Sequence, residues 1–165
     1  CVVQMTLTTA DDDLCRLIEP NVCPTSRRAE VLNILRDEGI PTVVWFCPVL
    51  PFINDSVENV RGILALCFEA KVQGILSFGM GVTLREGDRE YFYQALDRHF
   101  PGMKQRYIRS FGNAYELNSH RNEELMRLFH RTCEKAGILH DNREIFAYLH
   151  AFPEREPDTQ ISFFD

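Results

Sequence analysis

The stretch Thr42-Val43-Val44-Trp45-Phe46-Cys47 consists of β-branched, aromatic and other apolar side chains without interruption. This is the composition of a β-strand that is covered on both faces, as the strands of a parallel sheet are. Pro48 and Pro51 then favour a loop, because proline cannot donate to a strand ladder. The stretch therefore predicts a parallel sheet with helices packed on both of its faces.

Further strands are predicted before and after this one. Residues 1–9 alternate apolar with polar side chains, which is the period of a strand with one apolar and one polar face. Residues 72–78 are predicted to form a third strand that leads into Gly79-Met80-Gly81. This turn lacks the third glycine of a dinucleotide-binding turn and the lysine of a phosphate-binding loop. We interpret its glycines as a requirement of the backbone geometry.

Helices are predicted between the strands. A short helix spans residues 11–18, and a second begins with Thr25 or Ser26 as its cap. A third helix runs to about residue 70 and has Asn54, Asp55 or Ser56 as its cap. Strands and helices that alternate with short connections indicate right-handed βαβ units in a parallel sheet. Three units are too few to close an eight-stranded barrel, which takes about 250 residues. Residues 1–82 are therefore predicted to form half of a larger, curved sheet.

The rest of the chain has the sequence pattern of helices followed by a tail. We predict a helical C-terminal region at residues 83–152 and a flexible polar tail at residues 153–165. The predicted helices of this region span residues 88–100, 103–110, 118–136 and 145–152.

The overall charge argues against binding to nucleic acid or anionic lipid through a positive charge spread over the whole chain. The 165 residues carry 18 basic and 24 acidic side chains, a formal charge of −6, so no global cationic field attracts phosphates or anionic lipid. A nucleic-acid contact has to be local. Lys104, Arg106 and Arg109 alternate with Tyr107 and Phe111 in a stretch without acids, which is either a candidate nucleic-acid surface or an ordinary amphipathic helix.

The six cysteines predict free thiols and no metal site. They stand at positions 1, 15, 23, 47, 67 and 133, and no two have the spacing of a zinc or iron–sulfur motif. Most lie in apolar stretches, as buried thiols of a cytoplasmic protein do. The apolar runs are far shorter than the ~18–20 residues that span a bilayer, so we expect no membrane partner. The chain opens inside a strand pattern without Met, which we interpret as a cut in a longer protein.

Several short motifs, read together, resemble one enzyme superfamily. They are Leu17-Ile18-Glu19-Pro20, the helix from Arg27-Arg28 to Gly39-Ile40-Pro41, and Pro48-Val49-Leu50-Pro51-Phe52-Ile53-Asn54-Asp55, of which the last is the most specific. With them the chain is similar to the C-terminal half of radical S-adenosylmethionine proteins, in the spore photoproduct lyase-like or DNA repair photolyase-like branch. Residues 79–85 and 91–102 also resemble this branch, so the likeness extends over most of the chain.

The resemblance implies a partial (β/α)₆ barrel, of which residues 1 to about 80 would be strands four to six with their helices. It also implies a [4Fe–4S] cluster held by a CxxxCxxC loop after the first strand, and this chain lacks that loop. The cluster would then belong to a missing N-terminal half of the parent chain, which becomes the first expected partner. We expect the fragment to bind no cofactor and to be inactive alone, and its catalytic residues stay unassigned.

The same resemblance implies a site for S-adenosylmethionine. A hydrophilic residue on the fourth strand of the family approaches the cofactor's ribose, and Thr6 or Thr8 occupies the matching position. Loop backbone after the fifth strand approaches adenine, which makes Pro48, Val49 and Leu50 candidates. The alternative is that both threonines are present only because β-branched residues suit strands.

The end of the chain resembles a separate element. Gln160-Ile161-Ser162-Phe163-Phe164 is similar to the short peptide with which bacterial repair and replication proteins dock on the sliding clamp. A polar anchor and two adjacent large apolar groups suit a hydrophobic cleft. Alternatively, Phe163 and Phe164 pack on their own domain. Two functions therefore stay open: part of a radical enzyme, with DNA as a candidate substrate, and an interaction module that recruits the clamp.

Overall fold

The computed structural model describes residues 1–151, which form a mixed α/β fold of seven helices and five strands. The longest helix has 15 residues. None of the described helices is long and apolar enough to cross a membrane. In chain order the elements are β1 (Val3–Thr6), α1 (Asp12–Ile18), α2 (Thr25–Asp37), β2 (Thr42–Trp45), α3 (Val57–Glu69), β3 (Gly74–Leu76), β4 (Gly81–Thr83), α4 (Asp88–His99), α5 (Met103–Phe111), β5 (Glu116–Asn118), α6 (Asn122–Ala136) and α7 (Asn142–His150).

The predicted parallel sheet is confirmed as three strands in the order β1-β2-β3. The register pairs Val3 with Thr42 and Val44 with Ile75. Helices α1 and α2 connect the first two strands, and α3 connects the second to the third. A single parallel bridge between Gly74 and Leu139 extends the sheet beyond β3.

Helices cover both faces of the sheet, as the apolar sequence of β2 predicts. One face packs against α2, α3 and α6 in a main core that includes Val44, Ile63 and Phe129. The other face packs against α7, where Ile145 meets Val43 and Leu76. Because neighbouring residues of a strand point to opposite faces, the uninterrupted apolar run of β2 supplies both clusters.

An insertion separates β3 from α6. It consists of β4, α4, α5 and β5, and the two strands pair antiparallel with Gly81 opposite Asn118. Its own cluster, the insertion core, contains Leu84, Leu96, Tyr107 and Leu117. The sequence reading did not predict these two strands, and the helix predicted from Asn118 begins at Asn122 instead. Helix α6 then returns to the main core and packs against α3.

Local hydrogen bonds fix where several helices begin. The carboxylate of Asp11 accepts from the backbone of Asp13 and Leu14, and the hydroxyl of Ser56 accepts from the backbone of Asn59. Both interactions satisfy amide groups that a helix start leaves without partners. The predicted cap of α2 is wrong: Thr25 is the first helical residue, and its hydroxyl donates to the carbonyl of Thr9 at 2.6 Å.

Candidate functional site

A cavity of about 360 Å³ lies at the carboxyl ends of β1 and β2. The loop after β1 contributes Thr8 to its wall, and the loop after β2 contributes Pro48 and Leu50. The end of α1, residues 17–20, and helix α4 complete most of the lining. Ligands of parallel α/β proteins bind outside the carboxyl ends of the strands, so this cavity has the position expected of a binding site.

Two asparagines tie the cavity loops together. The side-chain amide of Asn54 donates to the carbonyl of Thr8 at 2.8 Å, and its oxygen accepts from the backbone of Leu50 at 2.5 Å. Asn59 donates to the same Thr8 carbonyl at 3.0 Å and accepts from the backbone of Ala10 at 2.8 Å. Asn54 is 2% exposed, so these bonds satisfy a buried polar group. Asn54, which belongs to the Pro48–Asp55 motif, thus links the loop after β1 to the loop after β2 by hydrogen bonds.

Helix α4 contributes a wall that sequence reasoning missed. Phe92 and Phe100 present aromatic surface to the cavity, and Tyr91 lies exposed beside them. Arg98 and His99 supply cationic or titratable groups near the end of the same helix. The helix itself was predicted, but nothing in its sequence indicates that it packs over the loops that follow β1 and β2.

A hydrogen-bonded network borders the cavity, and we call its members Thr8, Cys15, Glu19 and Arg28 the Glu19 network. The hydroxyl of Thr8 donates to Oε2 of Glu19 at 2.5 Å. The guanidinium of Arg28 donates to Oε2 at 2.9 Å and to Oε1 at 3.2 Å. Arg28 also lies 2.9 Å from Sγ of Cys15. The side chains of Glu19 and Arg28 are only 21% and 12% exposed, so the pair is largely removed from water.

The network keeps Glu19 ionised at neutral pH. Burial alone would raise the pKa of Glu19, but hydrogen bonds from Arg28 and Thr8 outweigh that effect and hold the pKa below its ordinary value of 4.5. The same pairing raises the pKa of Arg28, although burial opposes it. The cavity is therefore bordered by a neutralised ion pair and contains no isolated charge at this point.

The structure brings together three of the five residues predicted to bind S-adenosylmethionine. Thr8, Pro48 and Leu50 line the cavity. Thr6 is exposed and does not line it, and its carbonyl accepts from Arg28 at 2.8 Å. Val49 is fully buried in the main core and does not line the cavity.

The predicted nucleic-acid residues of α5 lie outside the cavity lining. Lys104 pairs with Asp97 at 2.7 Å, and the guanidinium of Arg106 lies 3.9 Å from the ring centre of Phe52. Arg109 is exposed and donates to a backbone carbonyl in its own helix. Tyr107 is fully buried, with its hydroxyl donating to the carbonyl of Pro51, so its ring cannot stack on a base.

Two further predictions concern metal ions and the tail. Within residues 1–151, no group of three histidine, cysteine, aspartate or glutamate side chains has an arrangement that could hold a metal ion. The proposed clamp-binding residues Gln160, Ile161, Phe163 and Phe164 lie outside the described residues.

Comparison with known proteins identifies relatives without a described activity. No protein-family model matches the chain. The chain is similar to uncharacterized proteins of Mycobacterium bovis and of two strains of Mycobacterium tuberculosis, with 30% identity over 105 residues in each case. The matched residues are 64% of this chain and 30% of each relative. The chain therefore spans less than a third of the length of the curated relatives it matches.

Proposed function

We propose that the chain is the C-terminal part of a radical S-adenosylmethionine enzyme of the DNA repair photolyase-like branch. It contributes part of the cofactor pocket and has no activity of its own. The observation that carries the proposal is the common cavity of Thr8, Pro48 and Leu50. These residues come from two loops 40 residues apart, and each was expected at the cofactor from the resemblance alone.

The sheet supports a more specific part of the proposal, namely that residues 1 to about 80 form half of a partial (β/α)₆ barrel. Its three parallel strands follow one another in space in chain order, with α2, α3 and α6 on one face. Within the described residues, β1 pairs with β2 alone and has one free edge. The missing N-terminal half of the parent would add its strands at that edge, because unpaired strand edges bind further strands readily.

The cavity suits the nucleoside end of the cofactor. Pro48, Leu50 and Phe92 offer apolar surface to a flat ring, and Glu19 and Thr8 offer polar groups beside it. The iron–sulfur cluster does not fit residues 1–151, since these hold no suitable group of ligands. Its ligands must therefore come from elsewhere in the parent. With cluster and cofactor bound, the parent would carry out radical chemistry, and the cavity residues of this chain would bind and orient the cofactor.

The parent gene and its product test this proposal. We expect a CxxxCxxC loop upstream of these residues, about four iron atoms for each purified chain under anaerobic conditions, and binding of S-adenosylmethionine. Replacing the three loop cysteines by alanine should remove the iron, whereas Cys23→Ala, at an exposed position of this chain, should keep it. A parent without such a loop contradicts the proposal.

A second candidate function is recruitment of the sliding clamp without any chemistry. The supporting observation is the sequence at Gln160, Ile161, Phe163 and Phe164. The test is a titration of purified clamp with the chain and with its Phe163→Ala, Phe164→Ala double variant. We expect the double variant to lose binding, since two large apolar anchors leave the cleft. Equal affinity of both chains would end this proposal.

A further inference from the structure

Two histidines meet at the surface between α6 and α7. His130 lies on the exposed side of α6, and His140 lies half-buried in the segment that leads from α6 into α7. The centres of the two imidazole rings are 5.3 Å apart, with an angle of 52° between the ring planes. Neither histidine lines the cavity described above. The pair is therefore a cluster of potential metal ligands that the proposed cofactor pocket does not use.

The separation of the two rings is that of imidazoles bound to one metal ion. In a tetrahedral zinc site each ligand nitrogen lies about 2.0–2.1 Å from the metal, and the ring centre lies about 1.2 Å behind its nitrogen. At the tetrahedral angle of about 109°, two such ring centres are about 5.2 Å apart. The observed separation of 5.3 Å thus needs no change for both rings to bind one ion.

A hydrogen bond to the backbone determines which nitrogen of His140 is free. Nδ1 of His140 lies 2.9 Å from the carbonyl oxygen of Ile138, and a carbonyl oxygen can only accept. Nδ1 therefore carries the proton and donates it, which leaves the lone pair of Nε2 for a ligand. Metal-binding histidines commonly donate their other ring N–H to a carbonyl in this way, because the bond fixes the tautomer and the orientation of the ring.

The backbone that carries both rings is anchored in the fold. Phe129, next to His130, is fully buried in the main core, and its ring packs edge-on against both histidines at 5.1 and 6.3 Å. Leu139, next to His140, extends the sheet by its parallel bridge to Gly74. A site on anchored elements loses less conformational freedom when it binds a ligand than a site on free loops does.

We infer that His130 and His140 form a binding site for a Zn²⁺-like divalent metal ion, with water molecules as the remaining ligands. A site with two protein ligands agrees with the finding that residues 1–151 hold no suitable group of three. Imidazole is a preferred ligand of zinc and of neighbouring transition metals. The ion would tie α6, on one face of the sheet, to the segment before α7, on the other face. This site is separate from the radical chemistry proposed for the parent.

The first experiment measures zinc binding to the 165-residue chain. The titration uses calorimetry at pH 7.5, where the ordinary histidine side chain is mostly neutral. A Cys1→Ser, Cys23→Ser background removes two exposed thiols that could also bind zinc. We expect one zinc ion per chain and a higher midpoint of thermal unfolding with zinc, since an ion that binds only the folded chain stabilises it. Absence of binding at millimolar zinc overturns the inference.

Single substitutions identify the ligands. His130→Gln and His140→Gln should each weaken zinc binding by at least about tenfold, because even the loss of a group that supports a metal ligand costs about 10–100-fold. His120→Gln is the matched control, since His120 is exposed as well but stacks on Phe111. It should keep the native affinity for zinc. Unchanged binding in either ligand variant overturns the inference.

Nuclear magnetic resonance of the imidazole nitrogens separates direct ligation from an indirect effect of the substitutions. With zinc, the ring nitrogens of His130 and His140 should shift, while Nδ1 of His140 should keep its proton. Shifts at His120 or His150 in place of these would overturn the inference. Far-ultraviolet circular dichroism checks that each variant is folded, and His130→Gln, at an exposed position, tests the inference if His140→Gln is unfolded.

Discussion

Glu19 and Arg28 form the least exposed of the ion pairs found in residues 1–151. Their burial means that the two charges depend on each other, because water can replace neither partner fully. Arg27, one residue earlier on the same helix, forms an exposed ion pair with Glu30. Neighbouring arginines of α2 thus differ in environment, although the sequence Arg27-Arg28 makes them look equivalent.

Removing Arg28 should destabilise the fold more than removing Arg27. Arg28→Ala leaves a partly buried carboxylate without its cation, so we expect a loss of about 2–4 kcal/mol in the free energy of unfolding. Arg27→Ala removes an exposed pair worth about 0–1 kcal/mol. Urea unfolding followed by circular dichroism measures both. Similar midpoints for the two variants would contradict the assignment of a structural role to Arg28.

The depressed pKa of Glu19 makes part of the stability depend on pH. The folded state binds the Glu19 proton less tightly than the unfolded chain, so the stabilisation is fully present above about pH 4.5 and falls as pH decreases through the folded-state pKa. Between native chain and Glu19→Gln, the difference in unfolding free energy should therefore be constant from pH 5 to 7 and shrink below pH 4.5. Urea unfolding at several pH values checks this. A difference that grows on acidification contradicts it.

At the scale of elements, α3 packs so closely on the loop after β1 that one position requires glycine. A Cβ added to Gly62 would lie 2.5 Å from Cβ of Ala10, a distance that forces the backbone to shift. The backbone of Ala10 is also held by Asn59 of the same helix. The usual advantage of alanine over glycine inside a helix is therefore reversed at this position.

Gly62→Ala should lower stability by about 1–3 kcal/mol, because overpacking outweighs a gain of about 1 kcal/mol in helix propensity. The double variant Gly62→Ala, Ala10→Gly removes the methyl group that clashes and should recover much of the loss. Thermal unfolding of the two single variants and the double variant gives the coupling energy. Stabilisation by Gly62→Ala alone would show that the loop and helix do not meet closely.

Sequence patterns predicted the elements whose own composition or periodicity is typical of a helix or a strand. Strand β2 is apolar throughout, so both its existence and its burial on two faces follow from its composition. Strands β4 and β5 have three residues each, too few to display a period, and they form only because they pair with each other. At the site, Val49 points into the core while Pro48 and Leu50 line the cavity, a division that only the three-dimensional path of the loop decides.

At the scale of the whole molecule, the helices that cover the sheet come from distant parts of the chain. The main core joins α3 with Leu125, Phe129 and Cys133 of α6, although the insertion stands between them in sequence. The other face of the sheet is closed by Ile145 of α7. Gly74 allows this approach, since a Cβ there would lie 3.1 Å from the side chain of Ile145. Elements from both sides of the predicted boundary at residue 82 therefore cover the sheet.

This packing predicts that residues 1–82 do not fold cooperatively alone. Without α6 and α7, Ile63 on one face and Leu76 on the other lose the side chains that cover them, and the burial of each is worth about 1.5–3 kcal/mol. The matched control replaces residues 84–115 by a short turn, since β4 and β5 already pair at both ends of that segment. The shortened chain should keep a cooperative thermal transition by circular dichroism, whereas residues 1–82 should lose it. A sharp transition for residues 1–82 would mean that α6 and α7 pack on a sheet already stable without them.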